Sequence, residues 1–414
     1  MEGAYSRRVQ PHQFRVYKPG GLHMGSLDIE LTERCNNDCI HCCINLPAGD
    51  RQARAREMTT DQVRRILRQA ADLGVIRVRF TGGEPLLRPD FEELYLFTRR
   101  LGIKVLLFTN ARLLTPLLVE MFANIPLRAP IEITVYGLRP ASYDAVSRVP
   151  GSFAQFRRGV ELLSERNIPY VLKSVVLPPN QEELEEFEAW AGSIPWQGDR
   201  RPSLAMFYDL RNRRDDLEKN RQIERFRLSP ESGLRILIRD EERFRKERAE
   251  FAARFMGPAG DHLLNCGIGQ GMTVDAYGRA QPCLGIRAPE LTLDLFPPTA
   301  GLDGIGLGTA LEHFRSLAGL TTTNPEYLRR CARCFLKGLC EQCPAKSWAE
   351  YGTLDTPVEY LCQVAHAQAV HLGWLQEGEH AWEVEDWQSR LNGPGGNGEQ
   401  QAAGRARANR MELN

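Results

Sequence analysis

The chain has 414 residues, and its 53 Lys and Arg balance 53 Asp and Glu, giving a formal net charge of zero. Hydrophobic residues at 42% and charged residues at 26% are globular values, which excludes wholesale disorder and fibrous repeats. The length allows two or three domains of roughly 150 residues, and no apolar run approaches the roughly 18 residues of a membrane span.

Residues 1–25 form a Gly/Pro-punctuated lead without the apolar stretch of a secretory signal, so the chain reads as a soluble cytoplasmic protein. Balanced charge gives no general pull toward nucleic acid or membrane. Over residues 26–210, β-rich runs at Leu27–Leu31, Ile76–Thr81, Lys104–Thr109, Ile131–Tyr136, Tyr170–Leu177 and Ser203–Tyr208 alternate with helical patterns. The helical patterns lie at Thr59–Leu73, Phe91–Leu101, Thr115–Asn124, Ser152–Glu165 and Gln181–Ala191. Such alternation predicts βαβ units on a parallel sheet. Six units suit an open α/β barrel or a doubly wound sheet, and the pattern does not separate the two.

Residues 211–261 change character. Arg211–Glu250 holds 13 Lys/Arg and 10 Asp/Glu, with helical spacing over Gly233–Phe251. Mixed charge at that spacing reads as a solvated helical bridge; a bridge that also helps hold a peptide is the sharper alternative. Residues 262–373 form a cysteine-rich module, in which Met272–Cys283 reads as a β-hairpin turning at Asp275–Gly278. Residues 374–414 are a tail whose Gly/Gln/Asn/Arg bias after 391 predicts disorder.

The eleven cysteines are odd in number and fall in two groups, Cys35–Cys43 and Cys266–Cys362, with none between. A reduced compartment and this bimodal placement point to metal chemistry rather than disulfides. Cys35-x3-Cys39-x2-Cys42 directly follows the first strand, at the strand end where parallel α/β proteins gather their active sites. Three thiolates can hold three irons of a 4Fe-4S cube and leave the fourth iron open, whereas zinc favours four ligands in Cys-x2-Cys pairs. The second strand runs into Thr81-Gly82-Gly83-Glu84-Pro85, where glycines permit close backbone approach and Glu84 offers an acceptor for an ammonium group.

These motifs resemble the radical S-adenosylmethionine (SAM) superfamily. The resemblance implies a partial (β/α)6 barrel, a 4Fe-4S cluster on Cys35, Cys39 and Cys42, and SAM held through its amino group at Gly82, Gly83, Glu84 and Pro85. It extends to Asn110 in Phe108-Thr109-Asn110, where Ala111 replaces a common glycine, to Thr134 in Thr134-Val-Tyr136-Gly137, and to Lys173 as a partner for the SAM carboxylate. His41 stands where the family commonly has another aromatic residue; Tyr136 replaces a common aspartate. Cys43 reads as a spectator thiol.

The later thiols, Cys266-x16-Cys283, then Cys331-x2-Cys334-x5-Cys340-x2-Cys343 and Cys362, resemble the SPASM extension of radical SAM enzymes. That resemblance implies two auxiliary iron–sulfur clusters: one on Cys331, Cys334, Cys340 and Cys362, the other on Cys266, Cys283 and Cys343. A zinc ribbon on the four central cysteines is the structural alternative, and it leaves Cys266, Cys283 and Cys362 unexplained. The family's chemistry implies reductive cleavage of SAM to a 5′-deoxyadenosyl radical and oxidative cross-linking of a ribosomally made peptide. A maturase of an enzyme side chain or tetrapyrrole precursor, and a non-catalytic iron–sulfur carrier, are the alternatives. The expected partners are the peptide, a flavodoxin- or ferredoxin-type electron donor and a separate leader-binding protein.

Overall fold

The computed structural model describes residues 21–198, 201–264, 266–297 and 304–391, so the expected tail disorder and most of the expected lead lie outside the described residues. Six parallel strands form first: β1 (Ser26–Thr32), β2 (Arg77–Gly82), β3 (Lys104–Thr109), β4 (Ile131–Val135), β5 (Tyr170–Val175) and β6 (Ser203–Ala205). Their order across the sheet follows the chain without reversal. A doubly wound sheet reverses its strand order at a switch point; this one does not, so the open-barrel reading holds.

The crossover helices are α1 (Thr60–Asp72), α2 (Phe91–Arg100), α3 (Pro116–Asn124), α4 (Pro140–Ser147), α5 (Ser152–Glu165) and α6 (Leu184–Ser193). Helix α1 shows why the sequence marks its start. The Thr59 hydroxyl accepts from the Gln62 N–H, the Gln62 side chain accepts from the Thr59 N–H, and Val63, Ile66, Leu67 and Ala70 form one buried stripe. Helix α4 escapes sequence analysis because its eight residues carry only a short apolar pattern. Strand β5 stops at Val175 rather than Leu177 because Asn180 intervenes: its amide donates to the Val175 carbonyl (2.8 Å) and accepts from the Leu177 N–H (2.9 Å).

Alternation sorts the strand side chains. Leu27, Ile29, Leu31, Val78, Phe80, Val105, Leu107, Ile131, Ile133 and Leu172 join the helices in one fully buried core. The opposite sheet face is polar. Arg79 pairs with Asp28 (2.8 Å) and lies over the Phe108 ring (4.6 Å), and Lys173 lies over the same ring (4.2 Å) while pairing with Glu132.

The expected hairpin forms as β7 (Gly271–Val274) and β8 (Arg279–Gln281), followed by β9 (Leu293–Asp294). Strand β7 also pairs in parallel with β1, Ser26 opposite Gly271 and Ile29 opposite Val274. Residues 267–317 therefore belong to the compact unit of residues 1–226, a division that differs from the expected boundary at 262. The second unit comprises residues 227–266 and 318–414. Its core gathers Phe244, Phe335, Leu336, Leu339, Trp374 and Leu375. The helical spacing over Gly233–Phe251 resolves into two helices, Pro230–Leu237 and Glu241–Phe255, with Ser229 capping the first and Asp240 accepting from Arg243 N–H at the second. Among the described residues no helix is long and apolar enough to cross a membrane.

Candidate active site

The cysteine loop leaves β1 at Thr32, whose hydroxyl accepts from the Arg34 N–H (2.9 Å). Arg34 holds the Glu57 carboxylate through Nε and Nη2 (2.7 and 3.0 Å) and the Ala48 carbonyl through Nη1, pinning the short strand Arg34–Cys35 beside Leu46–Pro47. Beyond it, three cations from three other elements take the loop's carbonyls: Arg112 donates to Asn36, Arg148 Nε to Asp38 (2.9 Å) and Lys219 Nζ to Cys39 (2.6 Å). The loop's own N–H groups cap helix α4. Asp38 donates to the Ser147 carbonyl (2.9 Å) and Ile40 to that of Val146 (3.1 Å), satisfying acceptors that a helix end leaves open.

The three thiols are close enough to feel one another. Burial pushes the Cys35 thiol well up, reinforced by Glu84, Cys39 and Cys42; burial and then Cys42 push Cys39 up to about 12. A buried thiol in that state ionises when a metal binds it. The surroundings fit an anionic cluster. Besides the three cations, the buried His41 Nδ1 has no hydrogen-bond partner among the described residues. His41 is neutral, its pKa driven to about 3 mainly by burial, and it packs against Tyr136 (5.9 Å) and Tyr208 (5.2 Å). Tyr136 is half-buried and hydrogen-bonds the Cys39 thiol.

The Gly82–Pro85 turn meets this loop directly. A Cβ on Gly82, where φ is +121°, would lie 2.1 Å from the Thr32 carbonyl oxygen; one on Gly83 would lie 2.3 Å from that of Arg34. The glycines thus admit the chain's own backbone as the close neighbour, and the Gly83 and Glu84 N–H groups donate to those two carbonyls (2.7 and 2.9 Å). Pro85 is buried and opens the single turn Pro85–Leu87. Glu84 is fully buried; its carboxylate accepts from the Thr109 hydroxyl (2.8 Å) and the N–H groups of Asn110 (2.9 Å) and Leu86 (3.1 Å). Burial nevertheless pushes its pKa up to about 7. Three donors leave lone-pair capacity for one more.

Asn110 bridges the two motifs: its amide donates to the Asn36 side chain (2.7 Å) and lies 3.8 Å from Cys35 Sγ. The next residue, Ala111, takes a left-handed φ of +63°, so the conformation a glycine favours is kept without the glycine. Thr134 is half-buried on β4 and opposes Lys173 in register. The structure gives the Lys173 ammonium Glu132 and the Phe108 face as partners.

Residues 29–191 match the model of the radical SAM superfamily. Among curated relatives, an AdoMet-dependent heme synthase from Methanosarcina barkeri is 31% identical over 159 residues, covering 37% of this chain and 43% of its own length. A PqqA peptide cyclase from Ruegeria pomeroyi is 29% identical over 314 residues, covering 73% and 78%. The fold is shared with the SAM-bound structure of anSMEcpe (TM-score 0.53, 15% identity, 92% and 98% of the two chains) and with Streptococcus suis SuiB bound to SAM (TM-score 0.53, 18%, 80% and 73%).

Outside residues 29–191, the second unit encloses a cavity of about 100 Å³ lined by Cys266, Cys331, Cys334, Cys340, Cys343 and Cys362. Their electrostatic influence on one another is uneven. Burial raises Cys331, Cys334 and Cys340 to about 12, and the thiols that add to the rise at each come from that trio and Cys362; the thiol that adds to the rise at Cys266 is Cys343. Cys283 is exposed, two residues past β8 and in the first unit. Among the described residues no three such side chains converge tightly enough for a single ion. A four-iron cube spreads its thiolates further apart, one to each iron.

Sequence reading missed Arg112, Arg148 and Lys219. Each acts on the loop from at least 70 residues away, and only the fold brings them there. The one local signal was Arg112, two residues past Asn110 at a strand end.

Proposed function

We propose that this chain is a radical SAM peptide maturase that oxidatively cross-links a ribosomally made peptide, with auxiliary iron–sulfur clusters on its SPASM-type cysteines. The observation that carries the reading is that the thiols form two groups, three on the loop after β1 and six around the second unit's cavity. The peptide cyclases match far more of the chain than the radical SAM domain alone, which supports a peptide substrate.

When bound, the reduced cluster and SAM supply a 5′-deoxyadenosyl radical that removes a hydrogen atom from an unactivated C–H bond. The chain's residues prepare the place. Arg112, Arg148 and Lys219 fix the loop and set positive charge beside an anionic cluster. Glu84, held by three donors, presents its remaining acceptor capacity to the SAM ammonium. Neutral His41 and the rings of Tyr136 and Tyr208 give an apolar wall suited to adenine. The polar sheet face carrying Arg79, Phe108, Glu132 and Lys173 lines the interior where a substrate residue would lie.

The reading calls for a flavodoxin- or ferredoxin-type donor, because each cleavage consumes one electron, and for a separate leader-binding protein. The heme synthase relative favours a tetrapyrrole precursor as the second reading, over a shorter match. The test is anaerobic reconstitution, reduction and addition of SAM. Cleavage to 5′-deoxyadenosine is expected in wild type, none in Cys39→Ala, and cleavage without a modified product in Cys334→Ala. Equal cleavage by wild type and Cys39→Ala overturns the assignment. Turnover of a tetrapyrrole in place of a peptide selects the second reading.

A further inference from the structure

Among the thiols of the second unit, Cys362 has an unusual setting. It sits in the first turn of the helix Glu359–His371, and two side-chain donors reach its sulfur. Arg330 Nη2 lies 3.5 Å from Cys362 Sγ and 2.7 Å from Glu359 Oε2, while Nη1 holds Glu326 (3.1 Å). The guanidinium lies over the Trp382 ring at 4.8 Å, and its side chain is only 12% exposed. On the other side, His366 Nδ1 lies 3.6 Å from Cys362 Sγ and 2.8 Å from the Cys362 carbonyl. The Ala381 N–H donates to His366 Nε2 (3.2 Å), so Nε2 is the acceptor nitrogen and Nδ1 carries the proton. Cys334 and Cys340, by contrast, receive backbone N–H groups from Leu336 and Gln342.

We propose that Arg330, assisted by His366 Nδ1–H, is a positioning residue that raises the reduction potential of the four-cysteine centre through its hydrogen bond and charge at Cys362. The proposal rests on the reading that Cys331, Cys334, Cys340 and Cys362 hold an iron–sulfur cluster. Reduction adds negative charge that the sulfurs share. N–H groups aimed at a sulfur, and a cation in a half-closed site, stabilise that state more than the oxidised one. The Trp382 face and the low exposure shield the guanidinium from water that would weaken the effect. A raised potential suits a centre that takes an electron from an oxidised substrate.

The test is an EPR-monitored redox titration of the reconstituted full-length chain, with iron counted and the SAM-binding cluster recognised by its response to added SAM. Arg330→Gln keeps an N–H donor and loses the charge; the midpoint of the auxiliary signal should fall. Arg330→Met loses both and should lower it further, while SAM cleavage persists. Glu359→Gln frees the guanidinium from a neutralising carboxylate and should raise it. A tenfold change in the reduction equilibrium reads as about 59 mV in a one-electron couple. An unchanged midpoint in iron-replete Arg330→Met overturns the proposal. Should the Arg330 variants fail to load, an unmoved midpoint in Glu359→Gln overturns it instead. Wild-type protein that takes up only one four-iron cluster overturns the underlying reading, and the iron count shows this before any potential is measured.

Discussion

Replacing Gly82 by alanine tests whether the glycine pair serves the cysteine loop. The new Cβ would lie 2.1 Å from the Thr32 carbonyl oxygen; Cβ is fixed by its own backbone and the oxygen is a backbone atom, so no side-chain rotation relieves the clash. Forcing a methyl group into packed surroundings costs about 1–3 kcal/mol, and a strained backbone region adds about 1–3 kcal/mol. The φ of +121° places Gly82 in such a region. The sum, about 2–6 kcal/mol, corresponds to a fall of roughly 4–24 °C in Tm at about 2–4 °C per kcal/mol. Gly102→Ala isolates the conformational part, since its φ is +82° and nothing lies within 4 Å of the added carbon. That variant should lose only about 1–2 kcal/mol. The assay is thermal unfolding of both variants by circular dichroism, with iron content after anaerobic reconstitution. Gly82→Ala should melt well below Gly102→Ala and bind less iron at the first site. Equal melting and full iron loading would refute the reasoning.

Two further outcomes follow from the site. Burial raises Glu84 from 4.5 to about 7, so without SAM it favours the folded state below pH 4.5, and that contribution is lost as pH rises through about 7. Pairing with an ammonium needs the ionised form, so the cluster-loaded protein should bind SAM up to tenfold more tightly per pH unit approaching 7 from below; isothermal titration should find Glu84→Gln flat over the same range. Lys219→Met removes the donor to the Cys39 carbonyl, at about 1–3 kcal/mol for a buried acceptor left open, and should speed loss of iron to a chelator. An unchanged rate would assign Lys219 no part in holding the loop.

The strands and most helices were legible because each carries its period and its start signal, as Thr59 and Gln62 do for α1. The motif cysteines and Gly82–Pro85 stand out in the sequence because each motif is written in nearly consecutive residues, and the structure sets the two side by side. The glycines' closest neighbours were not legible, since Thr32 and Arg34 lie about 50 residues upstream. Nor was the ion pair that engages Lys173, because strand register decides which residue faces it. The placement of residues 267–317 needed the sheet order, in which a late strand joins the first.

That late strand bears on how the chain matures during synthesis. β1 can pair with β2 soon after both emerge from the ribosome, but its opposite edge waits until Val274 has been made. Until then an apolar strand presents open N–H and C=O groups, the kind of template on which nascent chains misassociate. A product truncated before residue 271 would keep the whole Cys35–Cys42 motif and still leave that flank uncovered. Expression of the barrel alone should therefore give aggregates unless the hairpin segment is retained or supplied in trans.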